Sequence, residues 1–222
     1  MSTHPSITRA IGACPLKRMS GSAWCTSGTK RAMDLCCAGL LLSLLWPLMV
    51  VIAALIKTSS PGPVLFRQRR VGLNGVEFEL LKFRTMTHLH SSGPGVTQSG
   101  DTRVTNLGKY LRKWKLDELP QLFNVMAGDM SLVGPRPDLK KYMGRLNAED
   151  LRILTVRPGI TGAASIQFRN EEEMLANVPP QELESFYVRT LLRTKLDLDW
   201  QYAQQATFWS DLRILVRTLL VI

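Results

Sequence analysis

Between Leu35 and Ile56 the chain reads LCCAGLLLSLLWPLMVVIAALI, an apolar run without charge that only Ser43 and Pro47 interrupt. At about 1.5 Å of rise per residue, a straight helix over this run would reach roughly 33 Å, enough to cross the hydrocarbon core of a bilayer. No polar stripe can be drawn along it, which sets it apart from the core helix of a soluble protein. Pro47 lies near its middle, where the missing amide hydrogen leaves the Ser43 carbonyl without its helical donor. Lys30 and Arg31 precede the run, and Lys57, Arg67, Arg69 and Arg70 follow it. A crossing helix gathers its basic residues on one side, whereas here both flanks are basic. The pattern predicts a re-entrant element over 30–58 that enters, breaks at Pro47 and returns to the same face.

Past a turn cluster at Ser59-Ser60-Pro61-Gly62-Pro63, the stretches Val64 to Val71 and Val76 to Phe83 read as two short strands around Leu73-Asn74-Gly75. Asn-Gly between apolar-rich runs predicts a hairpin, because both residues tolerate positive φ. Ser91 to Gly100, rich in Gly and Ser, reads as a mobile loop. Leu107 to Trp114 has helical spacing, with Lys109, Arg112 and Lys113 on the opposite side. Asp117-Glu118-Leu119-Pro120 reads as a helix start, since acids complement the positive end of the dipole and proline is tolerated in the first turn. That helix should run to about Met126 and stop at Gly128. Gly134-Pro135-Arg136-Pro137 should be an extended loop. Asp150 to Val156, Glu171 to Met174 and Pro180 to Arg193 read as short helical segments. Phe208 to Ile222 is an amphipathic C-terminal helix, whose apolar face suits a membrane interface and the domain core equally. The fold class expected is α/β, mostly α: a monotopic membrane-associated domain with a helix-break-helix, a small hairpin and several amphipathic helices. The domains expected are a basic flexible leader over 1–29, the membrane element over 30–58 and a catalytic domain over 59–222.

Charge narrows the partners. The chain has 222 residues and a net charge of +10, which fits nucleic acid, anionic lipid headgroups or a phosphorylated substrate. Its mean hydropathy of +0.00 averages one very apolar segment with a polar remainder. Cys14, Cys25, Cys36 and Cys37 form no CxxC pair and no histidine stands at zinc spacing, so neither zinc nor a disulfide framework is indicated. The apolar run starts late and ends in Ile56-Lys57-Thr58, a poor cleavage site, so the leader is expected to stay attached.

Asp117 and Glu118 are the chemically suggestive pair. Side chains of neighbouring helical residues diverge by about 100°, yet at a helix N-terminus both can reach one pocket. A carboxylate there can act as a nucleophile or hold Mg²⁺, and the dipole should lower the Asp117 pKa below its ordinary value. Taken alone, the pair reads as an ordinary helix start, where acids are common. Around it stand cations: Lys82 and Arg84 at the end of the second strand, Arg112 five residues before the pair, Arg136 between two prolines, and Arg169 after Pro158-Gly159-Ile160-Thr161-Gly162. A Pro-Arg-Pro loop holds a guanidinium at little entropic cost, which suits bidentate phosphate binding. Together these residues suit a diphosphate site with a metal and a carboxylate nucleophile.

The strings SPGPVLFRQRRVG (60–72), LLKFRTM (80–86), DTRVTNLGKYLRKWKLDELPQLFNVMAGDMSLVGPRP (101–137) and RPGITG (157–162) resemble the bacterial sugar transferase family. These are monotopic phosphoglycosyl transferases that start glycan assembly on a polyprenyl phosphate. The resemblance runs from about Lys30 to the C-terminus and is to the short, catalytic-domain-only type. It implies that Asp117 is the nucleophile and that Glu118 binds Mg²⁺. It also implies that Lys82, Arg112, Arg136 and, less closely matched, Arg169 contact phosphate, and that Pro47 breaks the membrane helix. Two positions depart from the family pattern: Trp46 stands where a Ser usually precedes the proline, and Lys115 stands where a Ser or Thr usually caps the dyad. Leu196-Asp197-Leu198-Asp199-Trp200 is a weaker match to a family segment.

What the resemblance implies is an Mg²⁺-dependent enzyme that uses a UDP-sugar and polyprenyl (undecaprenyl) phosphate. It would sit on the cytoplasmic face of a bacterial inner membrane among anionic lipids and bind no nucleic acid, with self-association left open. Polysaccharide or glycoconjugate assembly would follow from its product. The rival expectation is a basic membrane-anchored adaptor without catalysis, which accounts for the charge and the apolar helix but not for the Asp-Glu and Pro-Arg-Pro motifs.

Overall fold

The computed structural model describes residues 21–87, 97–179 and 181–221. Most of the predicted leader and most of the Ser91–Gly100 loop therefore lie outside the described residues. The apolar run forms helix α1, Gly28–Ser59, with Pro47 inside a single helical element rather than between two. Ser27 caps its start, its hydroxyl accepting from the Lys30 amide at 3.1 Å. One seam of α1 is packed: Lys30, Asp34, Ala38, Met49, Ile52 and Ile56 are buried, at three- and four-residue steps or their multiples. The rest is open, and only 11 % of its most apolar window is buried. Leu40, Leu44, Trp46 and Val50 are exposed.

Strands β1 (Leu65–Val71) and β2 (Glu77–Phe83) form the predicted antiparallel hairpin, in register from Leu65 opposite Phe83 to Val71 opposite Glu77. Asn74 and Gly75 in the turn have φ of 55° and 77°, the conformation for which the Asn-Gly pair was read. Helix α2 (Asn106–Lys113) follows, capped by the Thr105 hydroxyl. The dyad does not begin the next α-helix. Asp117 and Glu118 lie in a 3₁₀ turn, Leu116–Glu118, and the α-helix proper, α3, starts after Pro120 and runs Gln121–Ala127. It ends at Gly128, whose φ is 98°.

Strand β3 (Ser131–Val133) pairs in parallel with β4 (Gly159–Thr161), Ser131 opposite Gly159 and Val133 opposite Thr161. This two-stranded sheet brings the Gly-Pro-Arg-Pro loop against the Pro-Gly-Ile-Thr-Gly segment. The approach is backbone on backbone: a Cβ on Gly159 would lie 2.1 Å from the Gly134 amide nitrogen. Both glycines are thus explained by the absence of room for a side chain. Between and after the strands come short helices α4 (Lys140–Met143), α5 (Ala163–Gln167), α6 (Glu171–Met174) and α7 (Leu183–Phe186). A π-helical turn, Tyr187–Leu192, leads into α8 (Arg193–Gln205), and α9 (Phe208–Val221) closes the described chain.

The main core gathers Val71, Leu80, Leu122, Val125, Val133, Tyr142, Leu154, Leu192 and Trp200. A second cluster joins the far end of α1 to the hairpin and α2 through Met49, Ile52, Ile56, Phe83 and Leu111. Where the leader was expected to be flexible up to residue 29, its last residues are packed. Cys25 is buried, the Ser22 amide donates to the Ala203 carbonyl at 2.7 Å, and the Trp24 indole donates to Asp211 at 2.9 Å. The C-terminal helix splits its predicted apolar face. Leu215 packs on the core, while Phe208, Leu212 and Leu219 are exposed.

Candidate active site

Glu118 is the centre of the charged cluster. Its Oε1 accepts from Lys82 Nζ at 2.9 Å and from Arg136 Nη2 at 2.6 Å, and Oε2 accepts from Arg136 Nη1 at 3.4 Å. Burial works against its charge, but Arg136 and Lys82 outweigh that and hold the carboxyl well below the ordinary glutamate range. The Glu118 carboxylate in turn raises the pKa of the Arg136 guanidinium, more than burial lowers it. Lys82 comes from β2, opposite Phe66 in the hairpin, and burial lowers its pKa while Glu118 raises it.

Asp117 is buried beside this cluster, and its Oδ1 has no hydrogen-bond partner. Its pKa is raised, not lowered: burial comes first, and Lys82 and then Arg112 only partly offset it. The dipole argument made from the sequence fails because the residue sits in a 3₁₀ turn that is entered from Lys115 and is walled off from water. Lys115 occupies the cap position in the left-handed region, φ 52°, and makes no side-chain cap bond. For a non-glycine residue that conformation is strained, and it adjoins the dyad.

Arg112 is aimed by Thr85, whose hydroxyl accepts from Nε at 3.0 Å, and is paired with Glu172 of α6, 2.8 Å from Nη1. Arg84 was expected to join this group and does not. Its guanidinium turns to the end of α1, donating to the Pro61 carbonyl at 2.7 Å, the Ser60 carbonyl at 2.8 Å and the Ser60 hydroxyl at 3.0 Å. It ties down the segment that leaves α1, bonding the carbonyls of Ser60 and Pro61 just past the helix end. Arg169 lies half-buried between α5 and α6. Pro47 is exposed on α1, next to exposed Trp46.

The sequence reading missed Asp199. From α8 its Oδ2 accepts from the Arg136 amide at 3.2 Å and its Oδ1 from the Ala164 amide at 2.9 Å. It thereby ties the Pro-Arg-Pro loop to the start of α5. Burial pushes its pKa up to about 6. The only signal was its place in the Leu-Asp-Leu-Asp-Trp segment.

Two buried carboxylates thus stand among a lysine and two arginines that are only partly covered, brought together from motifs far apart in the chain. The bacterial sugar transferase family model matches residues 25–222. The chain belongs to that family. It is 42 % identical over 197 residues to a UDP-glucose:undecaprenyl-phosphate glucose-1-phosphate transferase of Caulobacter vibrioides, covering 86 % of this chain and 68 % of the relative. A UDP-N-acetylgalactosamine-undecaprenyl-phosphate N-acetylgalactosaminephosphotransferase of Aeromonas hydrophila is 37 % identical, with 86 % of this chain and 42 % of the relative covered. An uncharacterized sugar transferase of Bacillus subtilis is 37 % identical, with 86 % and 85 % covered. The chain spans only 34 % of a similar glucose-1-phosphate transferase of Xanthomonas campestris. In this sugar transferase, Asp117 offers a buried carboxylate oxygen with no protein partner, set among cations that favour a phosphate.

Proposed function

We propose that this sugar transferase moves a sugar 1-phosphate from a UDP-sugar to polyprenyl phosphate at a membrane surface. Asp117 attacks the phosphorus that bears the sugar, the bond to the bridging oxygen breaks, and UMP leaves. An oxygen of polyprenyl phosphate then attacks the phospho-sugar aspartate, which frees Asp117 and gives polyprenyl diphosphate-sugar. The observation that carries this reading is the unpartnered Oδ1 of Asp117. A buried carboxylate stripped of hydrogen bonds is destabilised as an anion and is therefore the better nucleophile, while Lys82 and Arg112 keep ionisation within reach. Arg136 and Arg112 stabilise the charge on the transferring phosphoryl group.

Mg²⁺ fits this donor set. The lightly used Oε2 of Glu118 is a hard oxygen of the kind Mg²⁺ takes, and it leaves Asp117 Oδ1 free to attack. That suits an ion which takes one or two carboxylates and completes its shell with substrate phosphate and water. When bound, Mg²⁺ would neutralise phosphate charge at the site.

The packed seam of α1 supports a re-entrant seat in the membrane. Lys30 near its start donates to the Val133 carbonyl at 3.1 Å, and Arg84 donates to the Ile56 carbonyl near its end at 3.4 Å. Contacts from both ends of α1 to the same globular part favour a return to one face over a crossing, although Pro47 does not divide the helix in two. The bacterial inner membrane, with the site on its cytoplasmic face, is the setting that matches a soluble nucleotide sugar and a lipid phosphate.

Incubating the purified protein with UDP-glucose or UDP-N-acetylgalactosamine and Mg²⁺, without lipid, tests the covalent step. The expected result is about one UMP per site and a phospho-sugar mass added to the Asp117 peptide. Asp117→Asn should lower turnover by about three orders of magnitude or more. Near-normal turnover in that variant, or UMP released only after lipid is added, would overturn the two-step mechanism.

A further inference from the structure

Arg136 can serve a phosphate only if its loop is held, and the hold comes from behind the site. Beyond the Asp199 bond to its amide, Arg70 of β1 donates from Nη1 to the Pro137 carbonyl at 3.2 Å and lies 3.7 Å from Asp138 Oδ1. The Val71 amide donates to the Asp138 carbonyl at 3.1 Å. The Tyr187 hydroxyl donates to the same Asp138 Oδ1 at 3.1 Å. That hydroxyl in turn lies 3.5 Å from the ammonium of Lys195, which donates to Glu171 at 2.9 Å. Tyr187, Lys195 and Arg70 are all substantially buried, so these bonds are not diluted by water.

Tyr187 opens the π-helical turn Tyr187–Leu192, a rare conformation that recurs at functional sites. Its ring already has a packing partner in Tyr142, 5.2 Å away between centroids, and that contact needs no hydroxyl. The hydroxyl serves a different end, the acid that follows the Pro-Arg-Pro sequence. We propose that Tyr187 is a positioning residue: acting through Asp138, it sets where the loop presents Arg136 to the phosphate of the sugar nucleotide. The inference rests on the transferase reading above and adds to it the group that holds Arg136 in place from the side away from the substrate.

Tyr187→Phe removes one oxygen and keeps the ring. Its KM for the UDP-sugar is expected to rise about five- to tenfold, with a smaller fall in kcat, because a displaced Arg136 weakens binding of the phosphate before reaction. Tyr142→Phe is the matched control, since the Tyr142 hydroxyl bonds Glu184 at 3.3 Å and its ring is the other half of the same pair. Its KM should stay at the wild-type value. Equal KM in Tyr187→Phe and wild type, or a fall in melting temperature without a KM change, would overturn the inference while leaving the transferase reading intact. Absence of UMP release by the wild type would overturn both. If Tyr187→Phe fails to fold, Asp138→Asn, which weakens the Tyr187 and Arg70 bonds together, is expected to show the same rise in KM, and its absence would count equally against the proposal.

Discussion

In α1 and α9 the buried side chains include Lys30, Asp34 and Asp211, while Leu44, Trp46, Trp209, Leu219 and Leu220 are exposed. In α8, which immediately precedes α9, Leu196, Trp200 and Ala203 are buried and Gln201 and Gln204 are exposed. α8 buries Lys195 and Asp199 too but leaves no large apolar side chain exposed, whereas α1 and α9 leave many of theirs outside. In α1 and α9 the polar atoms find partners inside: Lys30 and Tyr202 both bond Asp211, and Asp34 takes the Ser131 hydroxyl at 2.8 Å and the Leu132 amide at 3.1 Å. The leucines and tryptophans are left outside, where water would penalise each of them by about 25 cal/mol per Å² of apolar surface. An apolar surround removes that penalty, and a helix long and apolar enough to cross a membrane, in a bacterial sugar transferase, points the same way.

The largest test of this difference is Asp211, which is fully buried and holds Lys30, Tyr202 and Trp24. Asp211→Ala strands a buried ammonium and should cost about 3–5 kcal/mol in unfolding free energy, read by denaturant titration in detergent. Replacing both members, Lys30→Met with Asp211→Leu, should cost less than the single change. A single change worth under about 1 kcal/mol would mean that the pair is no more than a surface ion pair.

Within α8, the buried Asp199 sharpens the contrast through pH. Burial raises its pKa from 3.8 to about 6. A raised acid favours the folded state at low pH, so this contribution is complete below its unfolded value and is lost as the pH rises through about 6. The shift corresponds to about 3 kcal/mol. The unfolding free energy of the wild type should therefore fall by about that much between pH 4 and pH 7 relative to Asp199→Asn. Activity should run the opposite way, decreasing below about pH 6 as protonation weakens the acceptor for the Arg136 amide. Parallel pH slopes in wild type and variant would remove Asp199 from this account.

The smallest expected effect concerns the exposed face of α1. Leu44→Lys should leave the melting of the domain unchanged, since Leu44 is 70 % exposed. It should nevertheless weaken membrane retention in sedimentation after a high-salt wash, because a charge at the centre of an apolar segment costs about 2.5–3.5 kcal/mol. Unchanged retention would mean that α1 does not carry its middle into the lipid.

Local chemistry made part of this legible before any fold was known. The hairpin turn at Asn74-Gly75, the stop at Gly128, the apolar run of α1 and the loop around Arg136 each follow from residues within a few positions of one another. Positive φ, missing amides and unbroken hydrophobicity act over that range. The dyad was legible only by resemblance, and its setting was not. Whether Asp117 has a raised or lowered pKa depends on how much water reaches it, and that is decided by packing. Arg84 looked like a partner of Lys82 two residues away, but β2 ends at Phe83 and the chain turns it toward α1. Asp199 meets Arg136 across 63 positions, and Asp211 meets Lys30 across 181. The sequence by itself determined which segments are apolar, where the chain turns and which charges it has available. The tertiary structure decided which of those charges meet, because a contact between distant residues is set by the packing of whole elements and leaves no mark in the spacing along the chain.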